Sequence, residues 1–238
     1  MTVGIMRQVL GRRPTTTLSY FQLEEHHSLM EDTKEEVHRV GHRQFVGGKG
    51  EYWDKIGELQ FRFLIEQGLS PSDTFVDVGC GSLRGGYRFI RYLDPGRYLG
   101  MDKHIELIIY GVCQELGIGD YAQKRPRFVV SETFEFVKFI ERPSFGIAQS
   151  LFTHLSENDL RLCLKNLRAA ALPKCKFFAT FFEVDEPLAN DAISNSHGFF
   201  AYTRSQMDDF GVGAGWEPNY IGEWNHPRNQ KIMVYSAV

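Results

Sequence analysis

The chain has 238 residues, with 27 Lys and Arg against 30 Asp and Glu and a formal net charge of -3 at pH 7. That length holds one large α/β domain with an N-terminal extension rather than two full domains, and the charge supplies no global basic field for nucleic acid. Cysteines 80, 113, 163 and 175 form no CxxC pair, and no apolar run has the roughly 18 residues of a membrane span, so a reducing, cytoplasmic setting without disulfides or a membrane partner is expected.

Residues 1–20 carry Thr and Arg without periodicity and read as a mobile arm. The charged run at 24–40 reads as a short surface helix leading to a Gly-rich turn at 47–50, so that 1–45 form an arm and helical flap over a domain spanning 46–238. Trp53, Ile56, Leu59, Phe63 and Leu64 recur at helical spacing and meet Gly68, the pattern of an amphipathic helix with a C-terminal glycine. Strands are expected at 74–79, 98–102, 127–131, 145–152 and 176–182, alternating with helices at 82–93, 105–117, about 133–141 and after Ser156, where Asp159 and the leucines at 160, 162, 164 and 167 follow an N-cap. The stretch 183–215 is expected to cover the substrate. It is aperiodic to about Tyr202 and then turns helical behind the capping-box pair Thr203 and Gln206. Two strands near 216–221 and 230–236 close the chain. This alternation signals parallel βαβ units in a doubly wound, Rossmann-like sheet.

The first strand ends Asp77-Val78-Gly79-Cys80-Gly81 and opens a helix. Glycines there let backbone approach a ligand closely, as in dinucleotide sites, but the third glycine of G-x-G-x-x-G falls one place late in GCGSLRGG. Asp77, two residues before the first glycine, would repel a pyrophosphate and welcome a ligand bearing an ammonium and a sulfonium. Asp102, 25 residues further on at the end of the second strand, suits the two hydroxyls of a ribose. With a hydrophobic strand ending D-x-G-x-G and an acid closing the next strand, the chain resembles the class I S-adenosylmethionine-dependent methyltransferases over about residues 50–238. It is most similar to a bacterial group reading YWDKIGELQ, DVGCGSLRGG, AQSLFTHL and WNHPRNQ. The resemblance implies seven strands, mostly parallel, with an antiparallel C-terminal strand. It also implies S-adenosylmethionine held by Asp77, Gly79, Cys80, Gly81, Ser82, Asp102, Lys103, Glu132, Gln149 and Ser150. Leu83 departs from the third glycine of many class I enzymes, so the loop geometry there is expected to differ.

In open α/β sheets ligands lie beyond the carboxyl ends of the strands, which directs attention to the residues after strands four and five. His154 resembles the histidine general base of several sugar and natural-product O-methyltransferases, and Glu183 stands where those enzymes often place an assisting acid. Glu183 and Asp185 together offer a site for a divalent cation such as Mg2+, although a metal is not expected. Tyr52, Trp53, Tyr202 and Trp224 supply aromatic surface, with His226 and Arg228 in the last hairpin, for a small hydroxylated acceptor such as a sugar or oligosaccharide. Trp53 also fits the apolar stripe of its helix, where such a residue is more often core. The alternatives are a cofactor-binding but inactive partner subunit, a methyltransferase acting on protein or RNA, and a nicotinamide dehydrogenase. The Asn/Asp-Pro-Pro-Tyr/Phe motif of N-methyltransferases is absent after strand four, where AQSLF stands.

Overall fold

The computed structural model describes residues 34–48 and 50–237, so the expected arm at 1–20 and the start of the charged helix lie outside the described residues. The rest of that run is helical over 34–40 (α1) and is followed by the single turn α2 (His42–Phe45). Helix α3 (Tyr52–Glu66) buries Trp53, Ile56, Gln60 and Leu64 along one stripe. Gly68, just beyond it, takes φ +100°, a conformation that costs a side-chain-bearing residue.

The strands are β1 (Phe75–Val78), β2 (Tyr98–Asp102), β3 (Arg127–Val130), β4 (Phe145–Ala148), β5 (Lys176–Glu183), β6 (Ala201–Tyr202), β7 (Glu217–Gly222) and β8 (Lys231–Ser236). Their order is β3-β2-β1-β4-β5-β8-β7, with β6 beside the end of β5. Strands β1 to β5 pair in parallel, and β8 runs antiparallel to both β5 and β7. The doubly wound sheet with one antiparallel C-terminal strand is therefore present. The two-residue β6, parallel to Phe182 and Glu183, adds an eighth strand to the seven expected.

Alternation along the strands splits the core between two faces of the sheet. Phe75, Ile147 and Phe178 pack with Leu64, Phe89 and Ile90 of α3 and α4 (Gly86–Tyr92) on one face. On the other, Val76, Val78 and Phe177 meet Leu160, Leu164 and Leu167 of α7 (Glu157–Ala170) and Met207 and Phe210 of α8 (Arg204–Gly213). Ser156 caps α7, and Thr203 with Gln206 forms a complete capping box on α8. Among the described residues no helix is long and apolar enough to cross a membrane.

Four boundaries differ from expectation, each for a local reason. Helix α4 starts at Gly86 rather than residue 82, because Gly81 and Leu83 hold φ of +51° and +63° and prolong the turn. Strand β4 stops at Ala148 because Ser150 also turns left-handed, at φ +60°. The helix expected at 133–141 shrinks to one 3-10 turn, Phe136–Lys138. There the Ser131 hydroxyl accepts the N–H groups of Thr133 and Glu135, and Phe134 has φ +56°, so the backbone is satisfied without a helix. The expected helix 105–117 divides into α5 (Ile105–Tyr110) and a wider π turn, Gly111–Leu116. An unforeseen α6 (Ile118–Lys124) then restarts at Gly117 and buries none of its residues, so it left no apolar period to read.

Candidate active site

The loop after β1 is wired to β2 through its backbone. Gly79, at φ +73°, and Cys80 both donate their N–H groups to the Met101 carbonyl, at 2.8 and 3.0 Å. Gly81 donates to Asp102 Oδ2 at 2.8 Å, and Asp102 Oδ1 accepts from the His104 N–H at 2.9 Å. Asp102 thus braces the loop with Oδ2 and its own turn with Oδ1, and each oxygen keeps a second lone pair for a ligand hydroxyl. A Cβ on Gly79 would press on the Leu151 side chain at 3.1 Å, and one on Gly81 on Val46 at 3.3 Å. The loop therefore runs close to the flap and to the turn after β4. Leu83 adopts the left-handed conformation that glycine serves elsewhere, with its side chain fully buried to hold it.

Asp77 is 4% exposed and accepts from the Tyr98 hydroxyl at 2.7 Å. Burial pushes its carboxyl up to about 7, the Tyr98 hydrogen bond and Arg84 oppose the rise, and the Asp102 charge adds to it. Burial likewise pushes the Cys80 thiol up and keeps it protonated. Among the described residues, Ser82 Oγ, His104 Nε2 and Gln149 Oε1, following β1, β2 and β4, are buried without a hydrogen-bond partner. Buried groups of this kind are normally satisfied, and a polar ligand lying across these three strand ends would pair with them. Lys103 and Glu132 are exposed beyond β2 and β3.

The second half of the edge is built from side chains. Gln149 Nε2 reaches Ser150 Oγ at 2.8 Å, His226 Nε2 at 3.2 Å and Gln230 Oε1 at 3.3 Å. Thr180 and Ser150 also donate to Gln230 Oε1, at 2.8 and 3.0 Å, and Gln230 O takes the Trp224 indole N–H at 2.8 Å. Trp224 stacks on His226 with ring centroids 5.3 Å apart. Burial, reinforced by Arg84 and Arg228, drives the His226 imidazole down to about 3, which leaves it neutral. Arg228 lies over the Tyr52 ring at 5.1 Å and donates to the Gly47 carbonyl, joining the last hairpin to the flap.

His154 sits in the turn after β4 with Nδ1 2.9 Å from the Gly198 carbonyl. A carbonyl only accepts, so Nδ1 carries the proton and Nε2 presents its lone pair. Burial lowers the His154 pKa against the Gly198 hydrogen bond, with His197, Lys103 and Arg228 adding to the fall. The segment 184–200 is laced to this turn: Asn195 N–H donates to His154 O and Phe200 N–H to Thr153 O, both at 3.0 Å. His197 in turn meets Glu36 of α1 at 3.3 Å and the Phe45 ring of α2, while Phe45 also touches His104. Flap and insertion meet above the strand ends.

Several expected site residues are placed elsewhere. Trp53 and Tyr202 are 2% and 1% exposed, so neither ring lines a wall. Tyr202 gives its hydroxyl to the Leu155 carbonyl at 2.7 Å because β6 draws it into the core, and Trp53 follows the stripe of α3. Of the segment expected at 183–215 to cover the substrate, β6 and α8 complete the sheet layers, and 184–200 is tied to the turn after β4. Glu183 accepts from the Tyr220 hydroxyl at 2.6 Å on β7, and no contact joins it to His154. Asp185 is exposed, and among the described residues no three metal-ligating side chains converge. Sequence reasoning missed Arg84, His104 and Gln230. Arg84 was visible as a charge inside an otherwise small and apolar loop, whereas His104 and Gln230 owe their place to contacts that are distant in sequence.

No protein-family model matches the chain. Among solved structures, the magnesium protoporphyrin IX methyltransferase ChlM of Synechocystis with bound SAH superposes with a TM-score of 0.60 at 11% identity, covering 81% of this chain and 91% of that one. DesVI of Streptomyces venezuelae gives 0.60 at 10% identity, over 84% of this chain and 98% of its own. The glycopeptide N-methyltransferase MtfA complexed with S-adenosylmethionine gives 0.60 at 13% identity, over 76% and 94%. At these identities the likeness is one of fold, and the fold is that of the class I methyltransferases.

Proposed function

From a class I methyltransferase fold with its glycine loop intact, we propose that the protein is an S-adenosylmethionine-dependent methyltransferase. Its acceptor in this reading is a hydroxyl of a small molecule such as a sugar or oligosaccharide, and its general base is His154. One juxtaposition carries the proposal. Among the described residues a glycine loop braced by Asp102, with unpartnered polar atoms at three strand ends, shares its edge with an imidazole that is protonated at Nδ1 and so carries its lone pair on Nε2.

Bound there, S-adenosylmethionine would supply a methyl group on a sulfonium, ready for in-line displacement by an oxygen nucleophile. Asp102 and the flanking polar atoms would hold its ribose and adenine end, and Asp77 would face its cationic end. The task left to the protein is to align the acceptor and remove a proton. Neutral His154 takes the hydroxyl proton at Nε2, and the Gly198 carbonyl steadies the imidazolium at Nδ1. The Phe45 and His197 rings, 5.6 Å apart, would lie over the bound acceptor. The N-methyltransferase MtfA shares this fold, so the choice of oxygen rests on the free histidine and not on the fold.

Calorimetry with S-adenosylhomocysteine and NAD, followed by a glycan and small-alcohol screen with labelled donor, tests the reading. Tight binding of the homocysteine ligand, none of NAD, and label transferred to a hydroxyl would support it. Binding without transfer to any acceptor would favour an inactive partner subunit. Label transferred to protein or RNA would replace the small acceptor.

A further inference from the structure

Arg84 and Arg228 stand where the two halves of the site join, and among the described residues neither guanidinium pairs with a carboxylate. Other arginines of this chain do: Arg43 with Glu115, Arg62 with Glu58, and Arg91 with Asp120. Among the described residues the Arg84 side chain makes one hydrogen bond, from Nη1 to the Val46 carbonyl at 3.2 Å, and its Nε is buried without a partner. Arg228 bonds to the adjacent carbonyl, Gly47 O, and rests on Tyr52. The flap turn therefore holds both cations by neutral oxygens.

The two guanidiniums are held on the neighbouring carbonyls of Val46 and Gly47, and burial of Arg84, followed by the charge of the half-buried Arg228, lowers the Arg84 pKa to about 10. The acid that Arg84 feels is Asp77, which is bonded to Tyr98 and is itself pushed up to about 7. His226, beside both arginines, is neutral. Such a pair is costly unless a further anion joins it, and forked guanidinium donors match the oxygens of carboxylates and phosphates.

We propose that Arg84 and Arg228 form a receptor for an oxyanion, a carboxylate or phosphate group of the molecule that occupies the site. The assignment of that group to the acceptor rests on the methyltransferase reading above, and it makes the acceptor a hydroxylated acid rather than a neutral sugar. The other carrier of a carboxylate is the amino-acid end of the donor.

The test titrates the full chain, without donor, with inorganic phosphate and separately with succinate, by calorimetry. Saturable binding is expected, weakened at least tenfold in R84Q and R228Q and kept within about threefold in R228K, which retains the charge. In the second arm, S-adenosylhomocysteine is compared with methylthioadenosine, which lacks the amino-acid end. A tenfold loss for the first ligand alone in the Gln variants, without phosphate or succinate binding to the wild type, would assign the receptor to the donor's carboxylate. Arginine-dependent phosphate binding in a protein that ignores S-adenosylhomocysteine would retain the receptor and remove the methyltransferase reading. The receptor is overturned if the wild type binds neither small anion and both Gln variants keep full affinity for S-adenosylhomocysteine. Equal anion binding by wild type and Gln variants would overturn it as well. Thermal melts of each variant separate lost binding from lost folding.

Discussion

The two halves of the carboxyl edge are made of different material. On the β1–β2 side the site is mostly backbone, with Gly79, Cys80 and Gly81 donating to Met101 and Asp102 over 2.8–3.0 Å. On the β4–β5 side it is mostly side chains from distant segments, with His154 set by Gly198 and Gln149 set by His226 and Gln230. A backbone site tolerates little change, because each glycine has positive φ and a close neighbour. A side-chain site can be rebuilt around new acceptors while the sheet stays the same. The fold neighbours fit that contrast, since a magnesium protoporphyrin IX methyltransferase and a glycopeptide N-methyltransferase both superpose on this chain with a TM-score of 0.60.

The sharpest way to break this division is His154→Gln. If the acceptor half carries the chemistry, turnover falls by about 10²–10⁴-fold, the span typical of a lost general base, while S-adenosylhomocysteine affinity measured by calorimetry is unchanged. Retention of more than a tenth of the wild-type rate would move the base elsewhere. The reciprocal change, Asp102→Ala, acts on the donor half. It strands the Gly81 and His104 N–H groups, each at a cost of about 1–3 kcal/mol if left buried and unpaired. The ligand affinity is expected to fall about tenfold or more, together with a lower melting temperature. An Asp102→Ala protein that binds S-adenosylhomocysteine as well as the wild type would deny the donor half its anchor.

The same contrast explains what the sequence made legible. Parallel βα alternation, the caps at Ser156 and Thr203, and D-x-G-x-G are local patterns, and all reappear as expected elements. Two of the four errors at element boundaries came from side-chain-bearing residues at positive φ, Leu83 and Ser150, whose conformation is imposed by burial and tertiary hydrogen bonds. A third, the lost helix at 133–141, turned on Ser131 bonding its own backbone. The site showed the same limit. Tyr202 was read as facing the acceptor because it offers aromatic surface for it, and Glu183 because it follows strand five. Strand alternation and the pairing of β5 with β6 and β8 decide their direction, however, and send one into the core and the other to Tyr220.

A titration separates the halves more finely. Free Asp77 holds its proton up to about pH 7, chiefly because it is buried, whereas a cationic donor favours the ionised form. Below that pH each binding event must expel a proton, so S-adenosylmethionine affinity should fall, by at most tenfold per pH unit, as the pH drops from 7 to 6. Calorimetry in two buffers of different ionisation enthalpy would register the released proton, and Asp77→Asn should abolish both effects. In the ligand-free protein the raised pKa has the opposite consequence for folding. The folded state binds the proton more tightly than the unfolded chain, so this contribution to stability is present at low pH and is lost as pH rises from about 4 through 7. Donor affinity that stays flat across that window would mean that Asp77 does not meet the cation.

The smallest expected effect tests whether the halves are independent. Thr203 accepts the Gln206 N–H at 3.1 Å and Gln206 returns a bond to the Thr203 N–H at 2.9 Å, closing the start of α8 directly after the segment that covers His154. Thr203→Ala removes the hydroxyl half of that box and should cost about 1 kcal/mol of stability, read from urea unfolding. Both hydrogen bonds of this cap stay between Thr203 and Gln206, so S-adenosylhomocysteine affinity should remain within twofold of the wild type. A modest rise in KM for the acceptor with kcat nearly unchanged would mark 184–200 as a positioning cover held by its anchor. Parallel losses of donor affinity and acceptor KM would instead mean that the two halves open and close as one body, and that the flap contact between Glu36 and His197 transmits strain across the mouth.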